Sequence, residues 1–202
     1  MVLEVMGRYA GWIALESAIA GGADVALIPE IPYDINKVVE KINQRRAAGK
    51  KFSIVVVSEG AKPKDGEMVV KKTLDDGKGL DNVRLGGIGE KVAEDIEALT
   101  GVASRNTTLG YVQRAGTPTA FDRVLSTKYG YKAMELALAG TFNVLVTLQG
   151  GKLGYVPLEE VVGNNKEIGA RSGGTANTNI KTIQPDDDLM KVARNLGICV
   201  GD

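Results

Sequence analysis

The centre of the chain carries the stretch SRNTTLGYVQRAGTPTAFDR, which spans residues 104–123. Two arginines, Arg105 and Arg114, bracket a run rich in Thr, Leu and Val, and such a run favours extended structure. The Gly-Thr-Pro step at residues 116–118 then supplies a turn, an N-cap hydroxyl and a proline suited to the first helical turn. The stretch therefore predicts the end of a strand followed by the start of a helix.

A strand-to-helix junction of this kind suits an anion. Backbone N–H groups at a helix N-terminus carry partial positive charge, and an arginine fork can hold a phosphate by two parallel hydrogen bonds. The alternative is that Arg105 and Arg114 are ordinary solvated charges, because charged side chains are mostly exposed. The residues alone leave both interpretations open.

Strand and helix patterns alternate on both sides of this stretch. Short apolar runs predict strands at residues 2–5, 25–28, 53–57 and 143–148, and helical spacing of apolar residues predicts helices at about 12–20, 34–42, 88–99, 117–138 and 187–196. We expect the strand at 143–148 to be buried and the helix from Thr117 to be broken or bent near Gly130. Residues 62–79 and 163–186 are polar and predict irregular segments, with a short extended piece at about 68–74. The alternation predicts an α/β fold with a mostly parallel sheet.

Candidate binding residues follow the predicted strands. Arg8 lies in a glycine-flanked turn after the first strand, and Glu59 follows the strand at 53–57. Ligand crevices of open α/β sheets lie at strand carboxyl ends, and a carboxylate can accept hydrogen bonds from sugar hydroxyls. Because Arg8, Arg105 and Arg114 all occupy predicted strand ends, we expect them to form one anion site. The alternative is that Arg8 and Glu59 are ordinary turn residues.

Composition excludes several classes of function. The chain has 25 basic and 25 acidic residues, so it lacks the basic excess that nucleic acid or a membrane surface favours. It has no histidine, which excludes Ser-His-Asp hydrolases, and its single cysteine, Cys199, has no partner for a disulfide or zinc site. No apolar run reaches the roughly 20 residues of a membrane span, and no signal-peptide layout is present. We expect a cytoplasmic protein that binds neither nucleic acid nor membrane.

Several stretches together resemble the phosphofructokinase family. Residues 105–123 are similar to its sugar-phosphate-binding signature, while MGRYAGWIA at 6–14 and SEGA at 58–61 resemble two further family stretches in the same order. The ending at residues 186–202 is similar to the C-terminus of the branch that contains both ATP-dependent and pyrophosphate-dependent members. The resemblance covers nearly the whole chain.

The resemblance implies a Rossmann-like three-layer sandwich that forms the acceptor side of a 6-phosphofructokinase, an enzyme that phosphorylates the 1-hydroxyl of fructose 6-phosphate. Arg8 could also stabilise transition-state charge, and the family counterpart of Arg105 reaches into a neighbouring subunit, which implies a homo-oligomer. No metal ligand is implied in this chain, because Mg²⁺ with ATP or pyrophosphate belongs to the complete enzyme. The residues that correspond to the family's substrate contacts are Met6, Gly7, Arg8, Glu59, Arg105, Tyr111 and Arg114.

Some family features are missing or altered. The catalytic aspartate of a Thr-Ile-Asp-Asn-Asp motif and the glycine-rich donor motif have no counterpart in the sequence, so we expect the chain alone to be inactive and to bind no cofactor. Tyr111 stands where many ATP-dependent members have histidine, and Ala115 where a second glycine is common. In a regular strand Tyr111 and Arg114 would face opposite sides, so both could reach one ligand only if the chain turns near Gln113.

The resemblance also implies a domain organisation. Residues 1–114 would form the fructose 6-phosphate-binding domain, residues 115–162 would pack on a donor-binding domain, and residues 163–202 would link back to the substrate domain through a last helix. Two other functions stay open at this point. The chain could be a stand-alone sugar-phosphate-binding or regulatory module, or an α/β oligomerisation domain with vestigial arginines.

Overall fold

The computed structural model describes residues 1–73, 83–162 and 181–202, and it divides the chain into two compact units. Unit 1 comprises Met1–Arg114 and Lys181–Asp202, and unit 2 comprises Ala115–Ile180. Parts of the predicted irregular segments, residues 74–79 and 163–180, lie outside the described residues.

The two units together contain the following strands and helices, which alternate through most of unit 1. In chain order they are β1 (Val2–Val5), α1 (Trp12–Gly21), β2 (Val25–Leu27), α2 (Ile35–Ala47), β3 (Val55–Ser58), β4 (Val70–Thr73), β5 (Val83–Leu85), α3 (Ile88–Thr100), β6 (Asn106–Thr108), a 3₁₀ helix (Gly110–Arg114), α4 (Ala120–Leu138), β7 (Val144–Gln149), β8 (Lys152–Pro157), α5 (Leu158–Val162) and α6 (Asp188–Asn195).

A parallel sheet with strand order β2-β3-β1-β6 forms the centre of unit 1. Its strands are rich in valine and alternate their side chains between two cores. Helices α1 and α6 cover one face with Leu15 and Met190, and helices α2 and α3 cover the other with Val38 and Val92. Strands β4 and β5 pair separately as an antiparallel ribbon. The expected three-layer α/β fold with a parallel sheet is confirmed.

Residues 181–202 pack on the α1 side of unit 1. The indole N–H of Trp12 donates to the carbonyl of Lys181 at 2.7 Å. The Glu30 carboxylate accepts the N–H of Ile183 at 2.9 Å and also the N–H of Gly11, the N-cap of α1, at 3.1 Å. One carboxylate therefore caps a helix and anchors the returning chain.

The central stretch differs from its predicted structure at two points. Strand β6 has only three residues, and the segment that was expected to be extended up to Arg114 is a 3₁₀ helix. Helix α4 has Thr119 as its N-cap rather than Thr117, because the Thr119 hydroxyl accepts the N–H of Asp122 while the Asp122 carboxylate accepts the N–H of Thr119. This capping box places Pro118 before the helix.

Unit 2 contains α4, the β7–β8 hairpin and α5. Helix α4 runs without a break through Gly130. The hairpin turns at Gly150 and Gly151, both with positive φ, as a glycine pair favours. Strand β7 is not the buried strand that its apolar sequence predicted, because Leu145 and Leu148 are exposed. A two-stranded hairpin buries little apolar surface by itself, because side chains on its faces need another layer packed against them.

Candidate functional site

Three chain segments meet at the carboxyl edge of the parallel sheet in unit 1. Met6–Arg8 follows β1, Glu59 follows β3, and the 3₁₀ helix follows β6. These strands are adjacent and parallel, so their carboxyl ends lie side by side. Six of the seven predicted substrate contacts therefore lie at one edge.

Hydrogen bonds join the turn after β1 to the turn after β3. The carbonyl oxygen of Gly7 accepts the Gly60 N–H at 3.0 Å and the Ser58 hydroxyl at 2.6 Å. In the other direction, the Gly7 N–H donates to Oε1 of Glu59 at 3.4 Å, and the Glu59 N–H donates to the carbonyl of Val5 at 2.9 Å. The Glu59 carboxylate is thus held beside the turn that carries Arg8.

Glycine is required at two positions of this junction. Gly7 has φ +145°, a conformation that other residues rarely adopt, and a Cβ there would collide with the Ser58 hydroxyl and the Ala10 carbonyl. A Cβ on Gly60 would collide with the backbone carbonyl of Arg8. The close approach of the two turns depends on both glycines.

The 3₁₀ helix is fixed to the end of β1. The Leu109 N–H donates to the Glu4 carbonyl at 3.0 Å, and the Met6 N–H donates to Oε1 of Gln113 at 2.8 Å. Side chains at positions i and i+3 of a 3₁₀ helix eclipse one another, so Tyr111 and Arg114 lie on one face. The opposite-face geometry of a regular strand does not apply here.

The exposure of these side chains suits an open binding surface. Tyr111 is 77% exposed and does not fill the core. Arg114 is also exposed, whereas Met6, Arg8 and Glu59 are half-buried. The Arg8 guanidinium lies 5.3 Å from the centre of the Tyr9 ring, within cation–π distance. The edge presents arginine, tyrosine and carboxylate groups together.

Arg105 lies at the amino ends of the strands, opposite the carboxyl edge of the sheet. Its carbonyl accepts the N–H of Val2 at 2.8 Å, and the next residue, Asn106, pairs with Val2 at the start of β1. The four residues of β1 separate this edge from the turn that carries Arg8, a length of about 13 Å at the usual rise per residue. The expectation that Arg105 shares a strand end with Arg8 and Arg114 within one chain is therefore wrong.

Three residues that support the site were not predicted from the sequence. Ser58 and Gln113 lie beside Glu59 and Arg114, and their side chains bond to the backbone of Gly7 and Met6. Glu4 is a buried residue of β1 whose carboxylate accepts the N–H groups of Gly87 at 3.1 Å and Gly89 at 2.8 Å at the start of α3. A glutamate inside an otherwise apolar strand was the available signal, because a buried charge needs partners.

A depression of about 650 Å³ lies away from this edge, beside α3 and β6. Its lining includes Glu90, Glu94 and Glu97, whose negative charge would repel a phosphate. Within residues 1–73, 83–162 and 181–202, no group of three or more His, Cys, Asp or Glu side chains could hold a metal ion. No helix in these ranges is long and apolar enough to span a membrane.

Comparisons with known proteins agree with this geometry. Residues 1–137 match the family model of phosphofructokinase. The chain is 51% identical to ATP-dependent 6-phosphofructokinase 2 of Clostridium perfringens and 45% identical to ATP-dependent 6-phosphofructokinase of Chloroflexus aggregans. Both alignments cover all of this chain but only 51% and 50% of the relatives, so the chain spans about half their length.

Solved structures give the same result. The phosphofructokinase of Saccharomyces cerevisiae matches with a TM-score of 0.63 and 31% identity, over 79% of this chain and 20% of that chain. The pyrophosphate-dependent phosphofructokinase of Marinobacter aquaeolei matches with a TM-score of 0.64 and 25% identity, over all of this chain and 48% of that chain. The chain belongs to the phosphofructokinase family.

Proposed function

We propose that this chain is the fructose 6-phosphate-binding part of a 6-phosphofructokinase. The observation that carries the proposal is the meeting of three turns at one sheet edge, where Arg8, Glu59, Tyr111 and Arg114 come together. A phosphomonoester is recognised by guanidinium forks and a phenol donor, and sugar hydroxyls are recognised by a carboxylate. The edge offers both sets of groups.

The roles follow from charge and position. Arg114 and Tyr111, on one face of the 3₁₀ helix, would bind the 6-phosphate, and Glu59 would accept hydrogen bonds from fructose hydroxyls. Arg8 would contact the sugar phosphate and stabilise charge that develops during transfer, while the Met6–Gly7 backbone shapes the floor. Phosphoryl transfer depends almost entirely on such positioning and electrostatic stabilisation.

The residues named above would bind the phosphoryl acceptor and not the phosphoryl donor. Mg²⁺ with ATP or pyrophosphate supplies the phosphoryl group in the proposed reaction. The described residues hold no acidic cluster that fits a metal ion, so no ligand of Mg²⁺ is assigned to them. Named relatives use ATP in some cases and pyrophosphate in others. The proposed setting is cytoplasmic glycolysis.

Unit 2 would pack on the donor-binding part of the enzyme, and residues 163–202 would link the chain back to unit 1 through its last helix. Support for the first point comes from α4, where Phe121, Tyr131 and Leu138 are all at least 70% exposed. Exposed apolar patches of this kind mark interaction surfaces. Support for the second comes from the hydrogen bonds that Trp12 and Glu30 make to residues 181 and 183.

The complete enzyme would be a homo-oligomer in which Arg105 reaches the site of a neighbouring subunit. Its place at the far edge of the sheet supports this, because within one chain β1 separates it from Arg8. A third guanidinium would then reach the phosphate from a second copy of the chain.

Calorimetry tests the proposed function directly. Fructose 6-phosphate and fructose are titrated separately into the chain at pH 7.5. We expect fructose 6-phosphate to bind at least tenfold more tightly, because charged hydrogen bonds to the phosphate are each worth about 1.5–3 kcal/mol. Equal affinity for both sugars, or no binding of fructose 6-phosphate, would overturn the proposal.

A further inference from the structure

Gln113 differs from its neighbours in the 3₁₀ helix in how far its side chain is buried. Tyr111, Val112 and Arg114 are exposed, whereas Gln113 is half-buried and its Oε1 accepts the N–H of Met6 at 2.8 Å. This bond spans 107 positions of sequence. It is also a direct link between the turn after β1 and the turn after β6.

The bond continues the hydrogen-bond ladder between β1 and β6 beyond the end of β6. Along this ladder the Val2 N–H donates to the Arg105 carbonyl, and the Glu4 carbonyl accepts the Leu109 N–H. Met6 has the same parity as Val2 and Glu4, so its N–H faces the β6 side. The Leu109 carbonyl instead accepts the Val112 N–H, which begins the 3₁₀ turn. The side chain of Gln113 takes the place of the next strand carbonyl.

The hydrogen bond from Met6 to Gln113 connects all three segments of the site, together with the bonds that Gly7 makes. Gln113 holds Met6, and the neighbouring Gly7 holds Glu59 and Gly60. A rotation of the 3₁₀ helix about its axis would break the bond to Met6. The bond therefore sets the direction in which the eclipsed pair Tyr111 and Arg114 points.

We propose that Gln113 is a positioning residue of the sugar-phosphate site, which fixes Tyr111 and Arg114 relative to Arg8 without itself binding the ligand. The inference rests on the proposed function. The chemistry favours an uncharged acceptor at position 113. A glutamate would keep an oxygen for the Met6 N–H but would bring a negative charge next to the arginine that binds the phosphate.

Two variants separate the acceptor from the charge. Gln113→Met keeps the size of the side chain and removes the acceptor, while Gln113→Glu keeps an acceptor and adds charge. Gln44→Met is the matched control, because Gln44 is an exposed residue of α2 whose side-chain amide donates to the Glu40 carboxylate at 3.2 Å. The exchange rate of the Met6 amide hydrogen and the affinity for fructose 6-phosphate are measured for each.

For Gln113→Met we expect at least tenfold faster exchange at Met6 and about tenfold weaker binding, the effect of losing one hydrogen bond. Gln113→Glu should retain slow exchange at Met6 yet also bind fructose 6-phosphate more weakly, and Gln44→Met should match the native chain in both measurements. A merely structural role of Gln113 would raise the exchange rate at Met6 in Gln113→Met and leave the affinity for fructose 6-phosphate unchanged.

Three outcomes would contradict the inference. Slow exchange at Met6 in Gln113→Met would show that the bond does not hold the turn. Faster exchange with native affinity in Gln113→Met would show that the turn does not position the binding groups. In both cases the native chain still binds fructose 6-phosphate, so the proposed function stands. A native chain that does not bind the sugar phosphate overturns both the function and the role of Gln113.

Discussion

At the scale of single residues, Tyr111 and Arg114 offer a phosphate two different kinds of hydrogen bond. The phenol of tyrosine is a neutral donor at physiological pH, whereas the guanidinium carries a permanent charge and a planar fork. Their shared face on the 3₁₀ helix allows both to reach one phosphate group. The charged fork should contribute the larger share of the binding free energy.

Replacing Arg114 with lysine keeps the charge but removes the fork. We expect Arg114→Lys to weaken fructose 6-phosphate binding by about 1.5–3 kcal/mol, with little change in Tm because Arg114 is exposed. Arg46→Lys, on the exposed side of α2, is the matched control and should bind like the native chain. Unchanged affinity in Arg114→Lys, measured by calorimetry, would return Arg114 to an ordinary surface charge.

Tyr33 gives a second prediction at this scale. Its side chain is 1% exposed in the core under α2 and α3, and its hydroxyl has no hydrogen-bond partner among the described residues. Burial, with a smaller effect from Asp95, raises the pKa of Tyr33 from 10 to about 12. Folding therefore favours the neutral phenol, and this contribution to stability is complete below pH 10 and lost as pH rises through about 12.

Tyr33→Phe should remove this loss of stability at high pH. At pH 7 we expect the variant to be at least as stable as the native chain, because it lacks a buried hydroxyl without a partner. Between pH 10 and 12 its free energy of unfolding should fall less than that of the native chain, by about 2–3 kcal/mol for a shift of this size. Urea unfolding at several pH values measures the difference. Parallel pH profiles for the two proteins would rule out the assigned cause.

The site residues show what a sequence can predict at this scale. Arg8, Glu59 and Arg114 were predicted to follow strands, and the rule that parallel strands end at one edge brought them together. Tyr111 joined them only through the family resemblance, because the sequence predicted it inside a strand. Arg105 precedes β6 and Arg114 follows it, so the two arginines lie at opposite ends of the strand. The prediction treated both as strand ends, whereas only the carboxyl ends of parallel strands share one ligand crevice.

At the scale of elements, the site depends on two turns that approach each other too closely for side chains. Gly60→Ala would place a methyl group against the backbone carbonyl of Arg8, which cannot move without disturbing Gly7. We expect a loss of about 2 kcal/mol or more in the free energy of unfolding, together with weaker sugar-phosphate binding.

Gly21→Ala is the control for this change. Gly21 is the last residue of α1, and a Cβ there would meet nothing within 4 Å. Alanine should leave the chain equally stable or stabilise it by up to about 1 kcal/mol, because it favours helix more than glycine does. Chemical unfolding of both variants measures the contrast. Equal stability of Gly60→Ala and Gly21→Ala would contradict the claim that the close approach of the two turns requires glycine at position 60.

Elements with strong local signals were predictable, and those that depend on neighbours were not. The sequence predicted a helix from about residue 34, and α2 starts at Ile35 with Asp34 as its N-cap, whose carboxylate accepts the N–H of Asn36. The 3₁₀ helix was not expected, because its sequence, GYVQR, continues the Thr-, Leu- and Val-rich run that favours a strand. Long-range bonds to Glu4 and Met6 decide its structure, and no local pattern contains them.

At the scale of the whole molecule, the proposed role of Arg105 requires two copies of the chain. If each site combines Arg114 of one copy with Arg105 of another, Arg105→Glu and Arg114→Glu should each abolish binding alone. Mixing the two variants at equal amounts should restore binding at about a quarter of the sites, because half of the dimers are mixed and each has one intact site of two. The two variants are unfolded together and refolded so that their subunits mix, and calorimetry on the refolded protein measures this fraction. Native binding by Arg105→Glu alone would contradict the shared site.

The central claim is that the carboxyl edge of the parallel sheet binds the sugar phosphate. An amide NMR titration of the chain with fructose 6-phosphate tests it most directly, since each backbone N–H reports its own surroundings. We predict the largest shifts at Gly7, Gly60 and Tyr111, with the amides of Ala23 and Ile54 at the amino edge unchanged. Shifts that are centred on Ala23 and Ile54, while the carboxyl edge stays unchanged, would contradict the account.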